Sequence, residues 1–250
     1  MRVLLVDTET SGISWDEGAR VIEVAAALFD TKHAAVIESF SSLIRHDRNE
    51  AEPINGIPVG LLLEQGAEPA RVWDRFLRLS VEAECFCAYN EAFDRGFVTQ
   101  SLGMLTEPAI LENWDPKPWV DAMTDIPWGV SGSKALTAVA LGLGLGVASA
   151  HRAWVDVELM ARCLSRLNDR LYLEHLEDPG FDVYNGEYLA PVFRLGMRPK
   201  VRVVAKVSYD ARQSAKDAGF QWDTERREWW RMMAQEDISG LPFRAVERAL

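Results

Sequence analysis

The chain has 250 residues, and 48% of them are hydrophobic, so one good-sized packed domain, alone or with a small appendage, is expected instead of disorder. A net charge of −11 argues against a protein that coats nucleic acid over its whole surface. Three cysteines, an odd number, favour buried thiols over a disulfide framework or a zinc site. The chain shows no apolar run near the ~20 residues that span a bilayer and no signal segment. We therefore expect a cytoplasmic protein without a membrane partner.

Apolar runs near the start of the chain predict three consecutive strands, at residues 2–6, 20–29 and 34–44. The short polar break at 30–32 favours antiparallel pairing through hairpins. Residues 47–70 are polar and contain three prolines, so we expect mainly loops there.

Helical and strand patterns alternate in the next hundred residues. Near-helical spacing is seen at 72–79, 135–143 and 154–167, and an apolar strand is expected at 85–89. Strands followed and separated by helices predict an α/β layered domain over residues 1–168.

A second unit is predicted after a linker region at 169–199, which is rich in glycine and proline. Between Arg198 and Arg231 nine lysines and arginines stand against five acidic residues. We expect a small basic α+β domain at 200–250, with a strand, a helix ended by Gly219 and a closing hairpin.

Paired carboxylates follow the first strand at Asp7 and Glu9. Residues two apart in a strand share a face, so these side chains would repel each other unless a cation lay between them. Oxygen ligands favour Mg²⁺ or Mn²⁺ over zinc. Taken alone, the pair also fits two solvated acids at the end of a strand.

Two further acidic blocks lie later in the chain, at Asp94 and Asp156. Asn90 precedes Asp94 by four residues and is expected to cap the next helix. His151 precedes Asp156 by five residues, so the two would not share one face of a helix. We expect His151 in the loop that enters the helix and Asp156 in its early turns. Each block by itself also fits ordinary residues at a helix start.

Together the segments DTETSG, NEAFD and HRAWVD resemble the three motifs of the DEDDh family of 3′–5′ exonucleases, which includes DnaQ-like proofreading subunits. The resemblance covers roughly residues 1–168 and includes all four acids and the histidine. It departs in two places. Tyr89 stands before Asn90, where relatives often carry histidine, and Trp119-Val120-Asp121 is similar to a W-I-D-T segment of relatives but is followed by Ala122. The resemblance implies a ribonuclease-H-like fold, a mixed five-stranded sheet with helices on both faces.

The resemblance also implies roles for individual residues. The acids Asp7, Glu9, Asp94 and Asp156 would bind two Mg²⁺ or Mn²⁺ ions, and His151 would be the general base. Two such cations can stabilise both the entering and the leaving oxygen of a phosphodiester, and a histidine titrates near neutral pH. The implied substrate-binding residues are Thr8, Ile13, Asn90 and Phe93, with Ile13 a wedge against the last base.

Residues 200–233 resemble a small domain of unclear role that is attached to various nucleic-acid enzymes. Its Trp222, Trp229 and Trp230 either stack on bases or form the core of the domain, and the core is favoured for Trp222 and one of the pair. Five basic residues are candidates for contact with a substrate or partner: Arg212, Lys216, Arg226, Arg227 and Arg231.

The favoured function is a metal-dependent 3′–5′ exonuclease that releases nucleoside 5′-monophosphates from single-stranded 3′ ends. DNA is favoured over RNA, although the sequence places no residue that reads a 2′-hydroxyl. Two alternatives stay open: an exoribonuclease of the same family, and a non-catalytic nucleic-acid-binding or polymerase-associated module. A polymerase or another replication or repair protein is a possible partner, and no residue pattern fixes the oligomeric state.

Overall fold

A computed structural model describes residues 1–105, 117–147, 152–175 and 186–248. The chain divides into two compact units, Met1–Gly196 and Met197–Leu250. In the described ranges no helix combines the length and the apolar character that crossing a membrane requires. The expected cytoplasmic location stays a prediction.

The first unit is built on a mixed five-stranded sheet, as the resemblance implied. Its spatial order is β3-β2-β1-β4-β5. The antiparallel pairs β1–β2 and β2–β3 confirm the two predicted hairpins, whereas β1, β4 and β5 are parallel. The strands are β1 (Arg2–Thr10), β2 (Val21–Asp30), β3 (Ala35–Leu43), β4 (Cys85–Ala88) and β5 (Trp119–Asp121).

The described part of the first unit contains helices between β3 and β4, between β4 and β5, and after β5. They are α1 (Glu52–Asn55), α2 (Val59–Gln65), α3 (Pro69–Val81), α4 (Glu91–Gly103), α5 (Leu136–Gly142), α6 (Ala153–His175) and α7 (Leu189–Gly196). The expectation of loops over 47–70 is wrong, because α1 and α2 form there. The prolines of this segment stand at or next to helix starts, where a missing N–H costs no helical hydrogen bond.

The two faces of β1 serve different purposes. Leu4 and Val6, on one face, belong to the hydrophobic core that also contains Phe76 of α3 and Val98 of α4. Helix α6 also packs on β1 and β2. Because side chains alternate along a strand, Asp7 and Glu9 point away from the face that Leu4 and Val6 bury.

The predicted domain end at residue 168 falls inside α6, which continues to His175. Helix α7 lies within the predicted linker, and its Leu189 and Phe193 are buried. The apolar spacing of this short helix is interrupted in the sequence by Pro191, which is only the third residue of α7 and is tolerated there.

The second unit is a four-stranded antiparallel sheet of order β7-β8-β6-β9 with one α-helix, an α+β domain as expected. Its elements are β6 (Lys200–Ala205), α8 (Arg212–Asp217), β7 (Gln221–Asp223), β8 (Glu228–Ala234), a 3₁₀ helix (Gln235–Gly240) and β9 (Ala245–Arg248). The predicted hairpin is confirmed, and Gly219, with φ of 83°, follows the helix as expected.

The core of the second unit consists mainly of small and aliphatic side chains and one phenylalanine. It is formed by Val203, Ala205, Ala215, Phe220 and Met233. Trp229 packs against this core. The expectation that Trp222 is a core residue is wrong, since this side chain is 46% exposed. It lies in the short edge strand β7, where only one neighbouring strand can cover it.

Candidate functional site

Three of the predicted carboxylates meet at one point of the first unit. Strand β1 carries Asp7 and Glu9, and the first turn of α6 carries Asp156. One ligand oxygen from each lies within 4.8 Å of the other two. Helix α6 packs on β1, and this packing brings residues almost 150 positions apart in the sequence into one acidic cluster.

Asp94 lies next to this cluster, on α4. Its side chain is only 3% exposed, and its Oδ1 accepts hydrogen bonds from the Thr8 backbone N–H (2.9 Å) and the Thr8 hydroxyl (2.8 Å). Both donors come from the residue between Asp7 and Glu9. Thr8 therefore anchors Asp94 to β1.

The helix that carries Asp94 begins differently from the expectation. Asn90 stands at the N-cap position, but its side chain makes no capping hydrogen bond and its backbone is left-handed, with φ of 70°. The Asn90 N–H instead donates to Asp121 Oδ1 at 3.0 Å. An N-cap residue with an extended backbone directs its side chain to the first N–H groups of the helix, and a left-handed backbone does not. Here the Asn90 backbone is held by Asp121 instead.

Burial and mutual repulsion change the ionisation of the acids. Burial raises the pKa of Asp7 well above its ordinary value, and the charges of Asp94, Asp156 and Glu9 raise it further. Burial and the nearby Glu23 raise the pKa of Glu9 to about 7. Burial raises the pKa of Asp94 to about 7, although the hydrogen bonds from Thr8 oppose the shift. Without bound cations, these carboxyl groups therefore keep protons near neutral pH that isolated carboxyl groups would have lost.

The donor set of this cluster fits divalent cations. It consists of carboxylate oxygens, the ligands that Mg²⁺ and Mn²⁺ prefer. A cation would relieve the repulsion that raises the pKa of Asp7 and Glu9. The oxygens of Asp7, Glu9 and Asp156 would be its first ligands, with Asp94 close enough to act on the charge of Asp7.

An ion pair between a buried glutamate and a partly exposed arginine, next to the cluster, was missed from the sequence. Glu23 of β2 lies directly opposite Glu9 in the strand register and is only 2% exposed. Arg152 donates to its two oxygens from Nε (2.9 Å) and a terminal nitrogen (2.8 Å), and the Ala153 N–H donates to Oε2 at 3.2 Å. The signal was available: a glutamate inside the otherwise apolar run VIEVAAALF requires a partner when it is buried.

This pair fixes the start of the helix that carries Asp156. Arg152 and Ala153 are the residues directly after His151 in the sequence. His151 itself lies outside the residues that the structure describes, so its position relative to the carboxylates stays a prediction.

The remaining predicted residues lie at the surface or in the core near the site. Ile13 is 81% exposed and lines a cavity of about 230 Å³ with Ser11, Ile54, His46 and Arg48. The sequence did not single out the last three. Phe93 is half-buried, with its ring 4.9 Å from that of Phe97. The substrate-binding roles of Thr8, Ile13, Asn90 and Phe93 stay predictions.

Two family matches cover most of the chain. Residues 4–164 match the family described as exonuclease, and residues 201–247 match a domain of unknown function, DUF8626. No curated protein matches the chain.

Solved structures of exonucleases share the fold at low sequence identity. E. coli exonuclease I in complex with a dT13 oligonucleotide is 18% identical, with a TM-score of 0.57 over 92% of this chain and 51% of that one. S. pombe Pop2p in its Mg²⁺- and Mn²⁺-bound form is 20% identical, with a TM-score of 0.52 over 74% of this chain and 90% of that one. The chain spans about half the length of the exonuclease I chains that it matches.

Proposed function

This chain belongs to the exonuclease family, and from that premise we propose that it is a metal-dependent 3′–5′ exonuclease. It releases nucleoside 5′-monophosphates from single-stranded 3′ ends. The observation that carries this proposal is the meeting of Asp7, Glu9 and Asp156, with Asp94 anchored beside them through Thr8. Carboxylates gathered this closely repel one another and destabilise the protein unless cations bind to them.

The cofactor in this proposal is a pair of divalent cations, Mg²⁺ or Mn²⁺, held by the four acids. The all-oxygen donor set supports it, and so does the likeness to Pop2p, whose structure carries both ions. Bound cations supply positive charge that stabilises the phosphate oxygens as the bond to the attacking oxygen forms and the bond to the 3′-oxygen breaks.

His151 is the proposed general base. It removes a proton from the attacking water, whose oxygen bonds to phosphorus while the P–O3′ bond breaks. The leaving 3′-oxygen takes up a proton from solvent, so the shortened strand ends in a 3′-hydroxyl and the released nucleotide carries the 5′-phosphate. The hydrogen bonds from Arg152 and Ala153 to Glu23 hold the chain directly after this histidine.

Substrate contact is assigned to Thr8, Ile13, Asn90 and Phe93. The exposure of Ile13 supports a role as an apolar wedge against the terminal base, because a large aliphatic side chain gains from contact with an aromatic ring and loses water-exposed area. The cavity beside it is lined by basic and acidic side chains, Arg48 and His46 together with Glu17 and Glu50, which suit a polar ligand.

A 5′-labelled single-stranded DNA oligonucleotide tests the proposal. With Mg²⁺ or Mn²⁺ we expect stepwise shortening from the 3′ end and nucleoside 5′-monophosphates as the product, detected by mass spectrometry, and no reaction in EDTA. A strand that binds but is never shortened would show instead a non-catalytic nucleic-acid-binding module.

Matched DNA and RNA strands of one sequence decide between the two substrate classes. We propose DNA, and the likeness to an exonuclease I structure that contains dT13 supports it. A higher kcat/KM on RNA would make the chain an exoribonuclease with the same chemistry. Association with a polymerase stays a prediction.

A further inference from the structure

Five side chains of the second unit form a continuous aromatic and basic strip. Arg212 and Lys216 are four residues apart on α8 and thus share a face. The Arg212 guanidinium lies 3.8 Å from the ring centroid of Tyr209, and the Lys216 ammonium lies 5.7 Å from that of Trp229. The Trp229 ring is in turn 5.3 Å from the ring of Trp222, its partner across the hairpin. We call these five residues the aromatic–basic strip.

The outer members of the strip do not serve the core. Tyr209 is 75% exposed and Trp222 is 46% exposed, and neither belongs to the hydrophobic cluster of this unit. Trp229 packs against that cluster and supports Trp222 from below. Exposed aromatic surface with polar residues at its rim is typical of an interaction site.

Two acids of the same hairpin form ion pairs with arginines outside the strip, and the third, Glu225, is exposed in its turn. Asp223 and Glu228 both bind the buried Arg202, at 3.2 and 2.7 Å, and Glu228 also binds Arg248 at 2.8 Å. Asp217 accepts a hydrogen bond from Gln213. The strip itself contains two cations, Arg212 and Lys216, and no carboxylate.

Charge is also divided between the two units. Residues 197–250 contain eleven lysines and arginines against eight acidic residues, a net charge of +3. Residues 1–196 contain sixteen lysines and arginines against thirty acidic residues, a net charge of −14. A polyanion is therefore attracted to the second unit and repelled by most of the first.

We propose that the aromatic–basic strip is a second binding site for single-stranded nucleic acid, separate from the 3′-end site of the first unit. Unpaired bases stack on Trp222 and Tyr209, and the phosphates between them contact Arg212 and Lys216. The chemistry that the strip recognises, an exposed base next to a phosphodiester, is common to DNA and RNA. Duplexes lack it, because their bases are stacked inside the helix.

A labelled circular single strand of about 30 nucleotides, studied with the full chain in EDTA, isolates this site. The circle has no 3′ end, and without metal no hydrolysis occurs, so failure of the proposed nuclease function would not affect the result. We expect the circle to bind more tightly than a duplex of equal length, as measured by fluorescence anisotropy. Parallel DNA and RNA circles show which of the two polymers the strip prefers.

Substitutions then test the individual contacts. Trp222→Ala is expected to raise Kd about tenfold, in the range found for loss of one base-stacking aromatic, and Trp222→Phe to restore most of the affinity. Tyr209→Ala, a fully peripheral change, provides a second stacking variant if Trp222→Ala fails to fold. The double variant Arg212→Ala/Lys216→Ala should reduce the slope of log K against log salt by about 1.4, or about 0.7 for each lost phosphate contact.

Lys32→Ala is the matched control, because it removes an exposed lysine from the turn between β2 and β3 of the first unit. Its affinity for the circle should equal that of the unmodified chain. The inference is wrong if the circle does not bind, or if folded Trp222→Ala and Arg212→Ala/Lys216→Ala variants bind it as tightly as Lys32→Ala.

Discussion

Glu9 has two opposite effects: it contributes to a proposed cation site, and it destabilises the protein when no cation is bound. Its pKa of about 7 arises from burial first and then from Glu23, Asp156 and Asp94. An ordinary glutamate titrates at 4.5. Between these two values the folded protein binds more protons than the unfolded chain, so the free energy of unfolding falls as pH rises through this window.

Glu9→Gln removes this titration and yields the first prediction. In EDTA at pH 4.5, the variant and the unmodified chain should have nearly the same free energy of unfolding. As pH rises to 7, the free energy of unfolding of the variant should become larger than that of the unmodified chain. After discounting for partial exposure, we expect a gain on the order of 2 kcal/mol. Denaturant unfolding at a series of pH values measures it.

Glu38→Gln is the control for this experiment, because Glu38 is exposed on strand β3 of the same sheet. It should follow the unmodified chain at every pH. Added Mg²⁺ should remove the advantage of Glu9→Gln, since bound cations keep the carboxylates ionised. An advantage that does not vary between pH 4.5 and 7 would contradict the assignment.

At the scale of elements, the ion pair between Glu23 and Arg152 links β2 to the start of α6. Arg152→Ala would leave a buried carboxylate without its bidentate partner and would free the chain directly after His151. We expect kcat to fall about tenfold to a hundredfold, because small displacements of a reacting group are costly, with a loss of stability of about 2 kcal/mol.

The double variant Glu23→Gln/Arg152→Ala separates positioning from stability. Replacing the buried charge should restore part of the melting temperature and little of the turnover. Arg152→Lys should restore the charge without the two parallel hydrogen bonds and give an intermediate kcat. A folded Arg152→Ala variant with unchanged kcat and unchanged pH profile would show that the pair is only structural.

The same elements show what the sequence could predict. Alternation placed Asp7 and Glu9 on one side of a strand, and helical spacing placed Asp156 near the start of α6; both features depend on local geometry. The partnership of Glu23 with Arg152 and of Asp94 with Thr8 depends on strand register and helix packing between distant segments. Local patterns do not contain that information.

The helices α1 and α2 were missed for a different reason. Prolines were interpreted as signals for loops, whereas here they begin helices. Trp222 was expected in a core because tryptophan is large and apolar, but the edge position of β7 leaves it exposed. Whether Trp222 packs in the core or lies at the surface depends on the position of its strand in the sheet, and composition does not specify that position.

The whole molecule combines an acidic exonuclease unit with a basic unit that carries exposed aromatic residues. Cations at the carboxylate cluster would lower the negative charge of the first unit at the place where a phosphodiester must approach. The second unit needs no metal for its proposed contact with single strands. Catalysis and strand binding should consequently respond differently to EDTA: the first disappears and the second persists.

The most direct test of the central claim compares two matched substitutions in the same helix. Asp156→Asn removes a carboxylate of the cluster, whereas Asp169→Asn removes an exposed carboxylate from the same α6 helix. The rates are measured with Mg²⁺ and a 5′-labelled single strand. Because Asp156→Asn loses several kcal/mol of transition-state stabilisation, its rate should be at least about a hundredfold lower than that of the unmodified chain. Asp169→Asn should shorten the strand from its 3′ end at the unmodified rate. Equal Mg²⁺-dependent rates for the two folded variants would contradict the account.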